Sequence, residues 1–195
     1  MTRGDKPAEH PDGRRAKGER RRREIIDATL RVIERDGTPR VSHRNIAREA
    51  GVPPASVVYY FESIDGVLIA ALLESCETMI AELRALTERV VDDPEGWANA
   101  TAEMLSRMVR EQRGRTLAEY ELYLLAARRP ALRPAARRWI EVAAGYVHDT
   151  GTRDTGAVSA LLAAIDGLLM QALIAEEPPG PEAFRPALAH LVPDR

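Results

Sequence analysis

The side chains best placed to do chemistry lie in one run, VSHRNIAREAGVPPASVVYYFESIDGVL, from Val41 to Leu68. It holds hydroxyls, an imidazole, guanidinium groups and two adjacent tyrosines, and no setting in it activates a nucleophile. Ser42 is placed to cap a short helix, and a hydroxyl beside the free N–H groups of a helix start suits an anion. The rest of the chain adds no catalytic candidate. His10, His43, His148 and His190 are scattered without metal-ligand spacing, and no glycine-rich phosphate loop is present. Cys76 is the single cysteine, which excludes an intramolecular disulfide and a Cys-rich metal site. It falls on an apolar helical stripe and is expected to be an inert buried thiol. Neither catalysis, nor a metal, nor a cofactor is expected; the chemistry is that of binding.

The charge distribution points to a partner. Net charge over 195 residues is −2, but residues 1–62 carry 14 Arg/Lys against 10 Asp/Glu, and the remainder 14 against 20. A basic first third on an acidic body suggests a polyanion bound at one end only. The start of the chain is polar and basic without an apolar run, so no secretion signal is expected and the cytoplasm is the expected location. The least charged stretch, Ala157 to Ala175, still contains Asp166 and Gln171. It reads as a buried helix rather than a membrane span.

Positioning these groups requires helices. Aromatics are scarce, and prolines and glycines punctuate long helical patterns, which predicts an all-α chain. Residues 1–17, a mix of Pro, Gly and charge, are expected to be a disordered basic arm. A first helix should begin near Gly18, present Ile25, Ile26, Thr29, Leu30, Val32 and Ile33 on one broad face, and stop at Gly37. Ser42 caps a second helix through Arg48, with Ile46 and Ala47 inward. Pro53 or Pro54 opens a third, ending near Tyr60. Ser63 caps a long fourth helix, with Leu68, Leu72, Cys76, Met79, Leu83, Leu86 and Val90 forming a continuous stripe. Asp93-Pro94 starts a fifth helix holding Trp97, Leu105 and Met108. Gly114 should separate it from a sixth, Thr116 to Arg128, apolar almost all round and so central. Pro130 and Pro134 break the chain before a seventh helix with Trp139 and Tyr146, and His148 to Thr155 reads as a loop. An eighth helix, with Val158, Leu161, Leu162, Ile165, Leu168, Leu169, Ala172 and Leu173, covers more than one face. After Glu-Pro-Pro-Gly-Pro, a last short helix carries Phe184, Leu188 and Leu191.

Two short helices joined at a glycine can cross steeply if small residues meet at their contact, as Ala47 and Ala50 would, with Gly51 left-handed at the turn. Val52, Val57 and Phe61 would then face the first helix. An ordinary helical hairpin would use the same residues, but the flanking segments also match a pattern: helix, Ser-started helix with Ile-Ala, Ala-Gly-Val turn, aromatic-rich end. Over about residues 20–72 this resembles the TetR family of repressors; beyond it the likeness is one of architecture. The resemblance implies a three-helix helix-turn-helix head at 18–62 and a helical regulatory, ligand-binding and dimerisation domain at 63–195. It implies a double-stranded DNA operator, palindromic and read by a homodimer, and release by a small-molecule effector. Ser42 resembles the family's phosphate-binding hydroxyl. Arg44 matches the position that reaches a base edge, where guanidinium to guanine is the commonest specific contact. His43, Pro54, Ala55, Ser56, Tyr59 and Tyr60 complete the set, although Tyr60 is equally suited to close over the core as a lid.

Two positions depart from the family pattern. Val58 stands where a tyrosine is common, three residues before the phenylalanine, and Ile64 where a phosphate-binding lysine is common, three residues after it. Tyr59 is the candidate replacement for the first. The run Arg14, Arg15, Lys17, Arg20, Arg21, Arg22 and Arg23 is the candidate compensation, as an arm lying along phosphates or entering a minor groove; a solubilising tail is the alternative. For the effector, Met79, Met104, Met108, Tyr120, Glu121, Tyr123, Trp139 and Tyr146 are the candidate lining residues. Glu121, inside an apolar run, needs a partner if buried: a ligand's cationic or hydroxyl group, or an internal arginine or tyrosine. Asp166 poses the same question beside Gly167, whose small size favours a structural role at a dimer contact. Dimerisation is expected through the eighth and last helices as a four-helix bundle. A helical small-molecule binder or enzyme with a vestigial head is the alternative to a repressor.

Overall fold

The computed structural model describes residues 11–88, 94–149 and 154–191. Among them every regular element is helical. Helix α1 (Pro11–Asp36) is followed by a 3₁₀ turn (Thr38–Arg40), α2 (His43–Ala50), α3 (Pro54–Tyr60) and α4 (Ile64–Thr87). Then come α5 (Pro94–Arg110), α6 (Arg113–Leu125), a 3₁₀ turn (Pro130–Leu132), α7 (Arg133–Asp149), α8 (Thr155–Ile174) and α9 (Pro181–Leu191).

The boundaries in the first third follow side-chain chemistry. Gly37, at φ 78°, ends α1 in a conformation that a β-carbon disfavours. Ser42 caps α2 by accepting from Asn45 N, and Gly51 closes it at φ 64° with its N–H returned to the helix. Pro54 supplies the first residue of α3, and Ser63 caps α4 through Gly66 N. The chain turns by 72° between α3 and α4.

Four expectations are corrected. Helix α1 begins at Pro11, seven residues before Gly18, so residues 11–17 of the expected disordered arm are helical; residues 1–10 lie outside the described residues. Alanine, lysine and arginine there are good helix formers and extend a helix already anchored by its buried face. Gly114 lies in the first turn of α6, and the break falls at Glu111–Gln112 instead. Helix α6 is not central on every side, since its apolar residues Leu117 and Leu124 are exposed. His148 and Asp149, expected in a loop, belong to α7, and Thr155 to α8; residues 150–153 lie outside the described residues. Val90 and Asp93 lie outside the described residues, as does the side chain of Tyr146.

Two apolar clusters organise the molecule. The first joins Ile25, Ile26 and Ile33 of α1, Ile46 and Ala47 of α2, Val57 of α3 and Phe61 to Leu68 and Leu72 of α4. It continues without interruption into Ala118 and Leu122 of α6, Leu132, and Ala135 and Ala136 of α7. The second joins Ala102, Leu105 and Val109 of α5 to Leu169, Ala172 and Leu173 of α8 and Phe184 and Leu188 of α9. The stripe along α4 links them, with Leu68 and Leu72 in the first, and Leu83 and Leu86 packed on the second. At 1.5 Å per residue α4 is about 36 Å long. Helix α8 is long and apolar enough to cross a membrane by length and composition, yet only 28% of its most apolar window is buried within the chain.

Candidate functional site

Helix α3 stands outward from this frame. Val57 is its one fully buried residue and pins it to the first cluster. Pro54, Ala55, Val58 and Tyr59 face solvent, Ser56 is half-buried, and Tyr59 is 81% exposed. Tyr60 takes the lid position: half-buried, packed on the first cluster, its ring edge-on to Tyr59 at 5.1 Å. A β-carbon on Gly18 would lie 3.9 Å from the Tyr60 hydroxyl, so this ring reaches back along α1.

Beneath α3, α2 presents its start. Ser42 Oγ accepts from Asn45 N at 3.2 Å, which leaves its hydroxyl proton free to donate to an anion. Asn45 Nδ2 donates to Arg40 O at 2.8 Å and steadies the approach to that cap. Arg44 is exposed and forms no ion pair among the described residues. His43 is half-buried, with its Nε2 enclosed and without a hydrogen-bond partner among the described residues. That nitrogen is therefore withdrawn from solvent.

Arg20, Arg21 and Arg22 sit on a regular helix rather than a flexible arm. Arg20 and Arg21 pair with Glu24 at 3.8 and 2.9 Å, and the Arg22 guanidinium lies 5.1 Å from the Phe61 ring centroid. The Arg22 cation is thereby held at the end of α3. Of the two departures from the family pattern, Val58 is exposed on α3, whereas Ile64 packs on the first cluster as an apolar residue. The crossing of α1 and α2 is braced by Glu49, which accepts from Arg31 Nε at 2.9 Å and Arg35 Nη1 at 2.8 Å. The Arg35 bond, then the Arg31 bond, hold its carboxyl below the ordinary carboxylate range.

The candidate effector-lining residues divide between the two clusters. Met104 is buried in the second, with Met108 and Tyr120 packed on it; Tyr123 and Trp139 pack on the first; Met79 is half-buried on α4. Glu121 is turned elsewhere. Its Oε2 accepts from Thr38 N, at the 3₁₀ turn before α2, at 2.7 Å. The partner is a main-chain N–H of the head, neither an arginine nor a tyrosine, because α6 packs its Glu121 side against α1 and that turn.

Sequence reading singled out Asp166 without finding its partner and passed over Glu119, the carboxyl that is largely covered by the body. Burial pushes the Glu119 carboxyl up against the opposing pull of Arg115, 3.1 Å away. Asp166 accepts from the Tyr120 hydroxyl at 2.9 Å; burial pushes both of these groups up as well. The four-residue spacing of Arg115 and Glu119 was a readable signal, but the Tyr120–Asp166 pair spans 46 positions and had none. Cys76 is buried and its thiol is pushed up by that burial, which disfavours the reactive thiolate.

A three-helix head with an outward short helix, set on a helical body, is the build of a helix-turn-helix DNA-binding regulator. Residues 25–71 match the family model for bacterial regulatory proteins of the tetR family, and residues 92–194 that for the tetracyclin repressor-like C-terminal domain. The chain belongs to the TetR family. The multidrug binding protein EbrR, solved with imidazole, is similar over 98% of both chains at 35% identity and a TM-score of 0.76. EbrR solved with ethidium covers 89% of this chain and 99% of its own at 36% identity and a TM-score of 0.76. Among curated relatives, the nicotine-responsive transcriptional repressor HdnoR of Paenarthrobacter nicotinovorans is 32% identical over 56% of each chain. The chain thus spans about half the length of that relative.

Proposed function

We propose that the protein is a cytoplasmic, dimeric repressor that binds a palindromic operator through α2 and α3 and is released by a nitrogenous organic cation. The observation that carries DNA binding is the exposure of α3: a short helix held by one buried valine, with Tyr59 and the Arg44 guanidinium presented beside it. In this reading Ser42 and Tyr59 hold phosphates, Arg44 reads a base, and Pro54, Ala55 and Ser56 lie against the groove. Arg20, Arg21 and Arg22 add phosphate contacts from α1. Fluorescence anisotropy with duplexes from the region upstream of the protein's own coding sequence tests it. Salt-sensitive, sequence-selective binding is the expected result; no selective binding at any salt concentration would reject the reading.

The effector class rests on the acidic groups of the body. Glu119 is a largely covered carboxyl, and Asp166, exposed on α8, accepts from the hydroxyl of the aromatic Tyr120. An organic cation offers charge to the carboxyls and a flat face to the ring. Similar proteins are described with ethidium and with nicotine, a cation and a base. Ethidium should raise the melting temperature of the parent more than a neutral aromatic of equal size, and Asp166→Asn with Glu119→Gln should remove that preference. Equal shifts from both compounds would count against a cationic effector.

Dimerisation is assigned to α8 and α9. Met170 and Ile174 are exposed on α8, Ile174 at 85%, and among the described residues none comes within 4 Å of the position a β-carbon on Gly167 would take. A second copy would cover that face.

A further inference from the structure

We infer that Glu121 is a positioning residue for operator binding: from the body it holds the main chain of the head at Thr38, and so sets how α2 and α3 meet DNA. This rests on the DNA-binding reading above but concerns a residue far from the surface that reading assigns to the duplex.

The geometry is specific. The 3₁₀ turn at Thr38–Arg40 has no side-chain cap from its own residues. Glu121 supplies one from 83 residues away, its Oε2 accepting the Thr38 N–H at 2.7 Å in a part-buried contact. The carboxylate lies over Gly37, where a β-carbon would stand 3.4 Å from Oε2 and 3.7 Å from Oε1. Charge-assisted hydrogen bonds are roughly twice as strong as neutral ones. Two residues past that turn is Ser42, the cap of α2, and Arg40 O takes the Asn45 side chain. A displacement at Thr38 therefore passes directly into the start of α2.

The same helix is bound to the body on its other side. Arg113 donates to Leu173 O near the end of α8, Tyr120 to Asp166 of α8, and Arg115 pairs with Glu119 within α6. One 13-residue helix thus carries body contacts at its start and middle, and a head contact one residue beyond Tyr120. A displacement of about 1 Å that draws Oε2 directly away from Thr38 N would take the 2.7 Å contact beyond hydrogen-bond range. A second link, Arg129 Nη1 to Asp65 Oδ1 at 2.6 Å, joins the turn after α6 to the first turn of α4. Both its side chains are exposed, so it contributes little alone; Glu121 is the part-buried polar tie beside the continuous apolar packing.

Glu121→Ala and Glu121→Gln in the full chain separate positioning from general stability. Gln keeps an oxygen within reach of Thr38 N; Ala does not. Glu121→Ala should weaken operator binding about tenfold and speed amide exchange at Thr38, while Glu121→Gln stays within about threefold of the parent on both measures. Melting temperatures of both variants should stay close to the parent's. The inference is overturned if Glu121→Ala binds the operator as the parent does, if Gln fails as badly as Ala, or if Thr38 exchange is unchanged in Glu121→Ala. If the parent itself binds no DNA, the functional reading falls, while Thr38 exchange still decides whether Glu121 holds the head.

Discussion

Arg44 and Glu49 stand near opposite ends of α2 and do opposite work. Arg44 is exposed and without an ion pair among the described residues, so its guanidinium can engage a base; Arg44→Ala should cost about 1–3 kcal/mol and relax selectivity at one base position. A panel of operator variants tests this, and a uniform loss across the panel would make Arg44 a phosphate contact instead. Glu49 is tied to Arg35 and Arg31, which depress its carboxyl. A depressed carboxyl stabilises the fold above the ordinary carboxylate range, and that contribution disappears as pH falls through the depressed value. Glu49→Gln should therefore melt lower than the parent at neutral pH, with the gap closing in strong acid. A gap that persisted unchanged in acid would refute the ionic origin. Arg44, a basic residue on the exposed side of a short helix, was legible in the sequence. The bonds of Glu49 were not, because they join residues 14 and 18 positions apart across a helix crossing.

At the scale of elements, caps and glycines decided where the short helices begin and end. A β-carbon added at Gly51 meets nothing within 4 Å, so Gly51→Ala would suffer only from its backbone angle of +64°. The expected loss is about 1–2 kcal/mol, read as a lower thermal midpoint with helix content retained. Ser42→Ala should cost about 1 kcal/mol through the lost bond to Asn45 N, and additionally weaken DNA binding if its hydroxyl also holds a phosphate. Measuring stability and affinity on the same variant separates the two roles. The helix-turn-helix boundaries were readable because Ser42, Gly51, Pro54 and Ser63 act locally. The start of α1 was misjudged because Gly18 looked like a boundary; propensity favours a break there, while the anchored helix simply runs through it. The same error occurred at Gly114, where a glycine lies in the first turn of α6 rather than between helices.

Over the whole molecule, the apolar excess of α8 is unresolved within one chain. Ile174, at 85% exposure, should lie at the centre of the contact between copies, so Ile174→Glu should yield a folded monomer by sedimentation. A variant that stayed dimeric would move the contact to another face. The sequence showed that α8 held more apolar residues than one core needs. It did not show how the candidate effector residues would group: Met104, Met108 and Tyr120 fall in one cluster, Tyr123 and Trp139 in the other, and no local pattern encodes that division.

The first apolar cluster crosses the boundary between head and body without a gap, from Ile25 and Ile46 through Leu68 to Leu122 and Ala136. Heads of this build are attractive parts for chimeric regulators, joined to foreign bodies by a cut just before the fourth helix. In this chain such a cut would strip the head of the fourth, sixth and seventh helices that complete its cluster and leave a greasy, half-filled socket. Portability would require transplanting the far wall of that socket along with the reading helices.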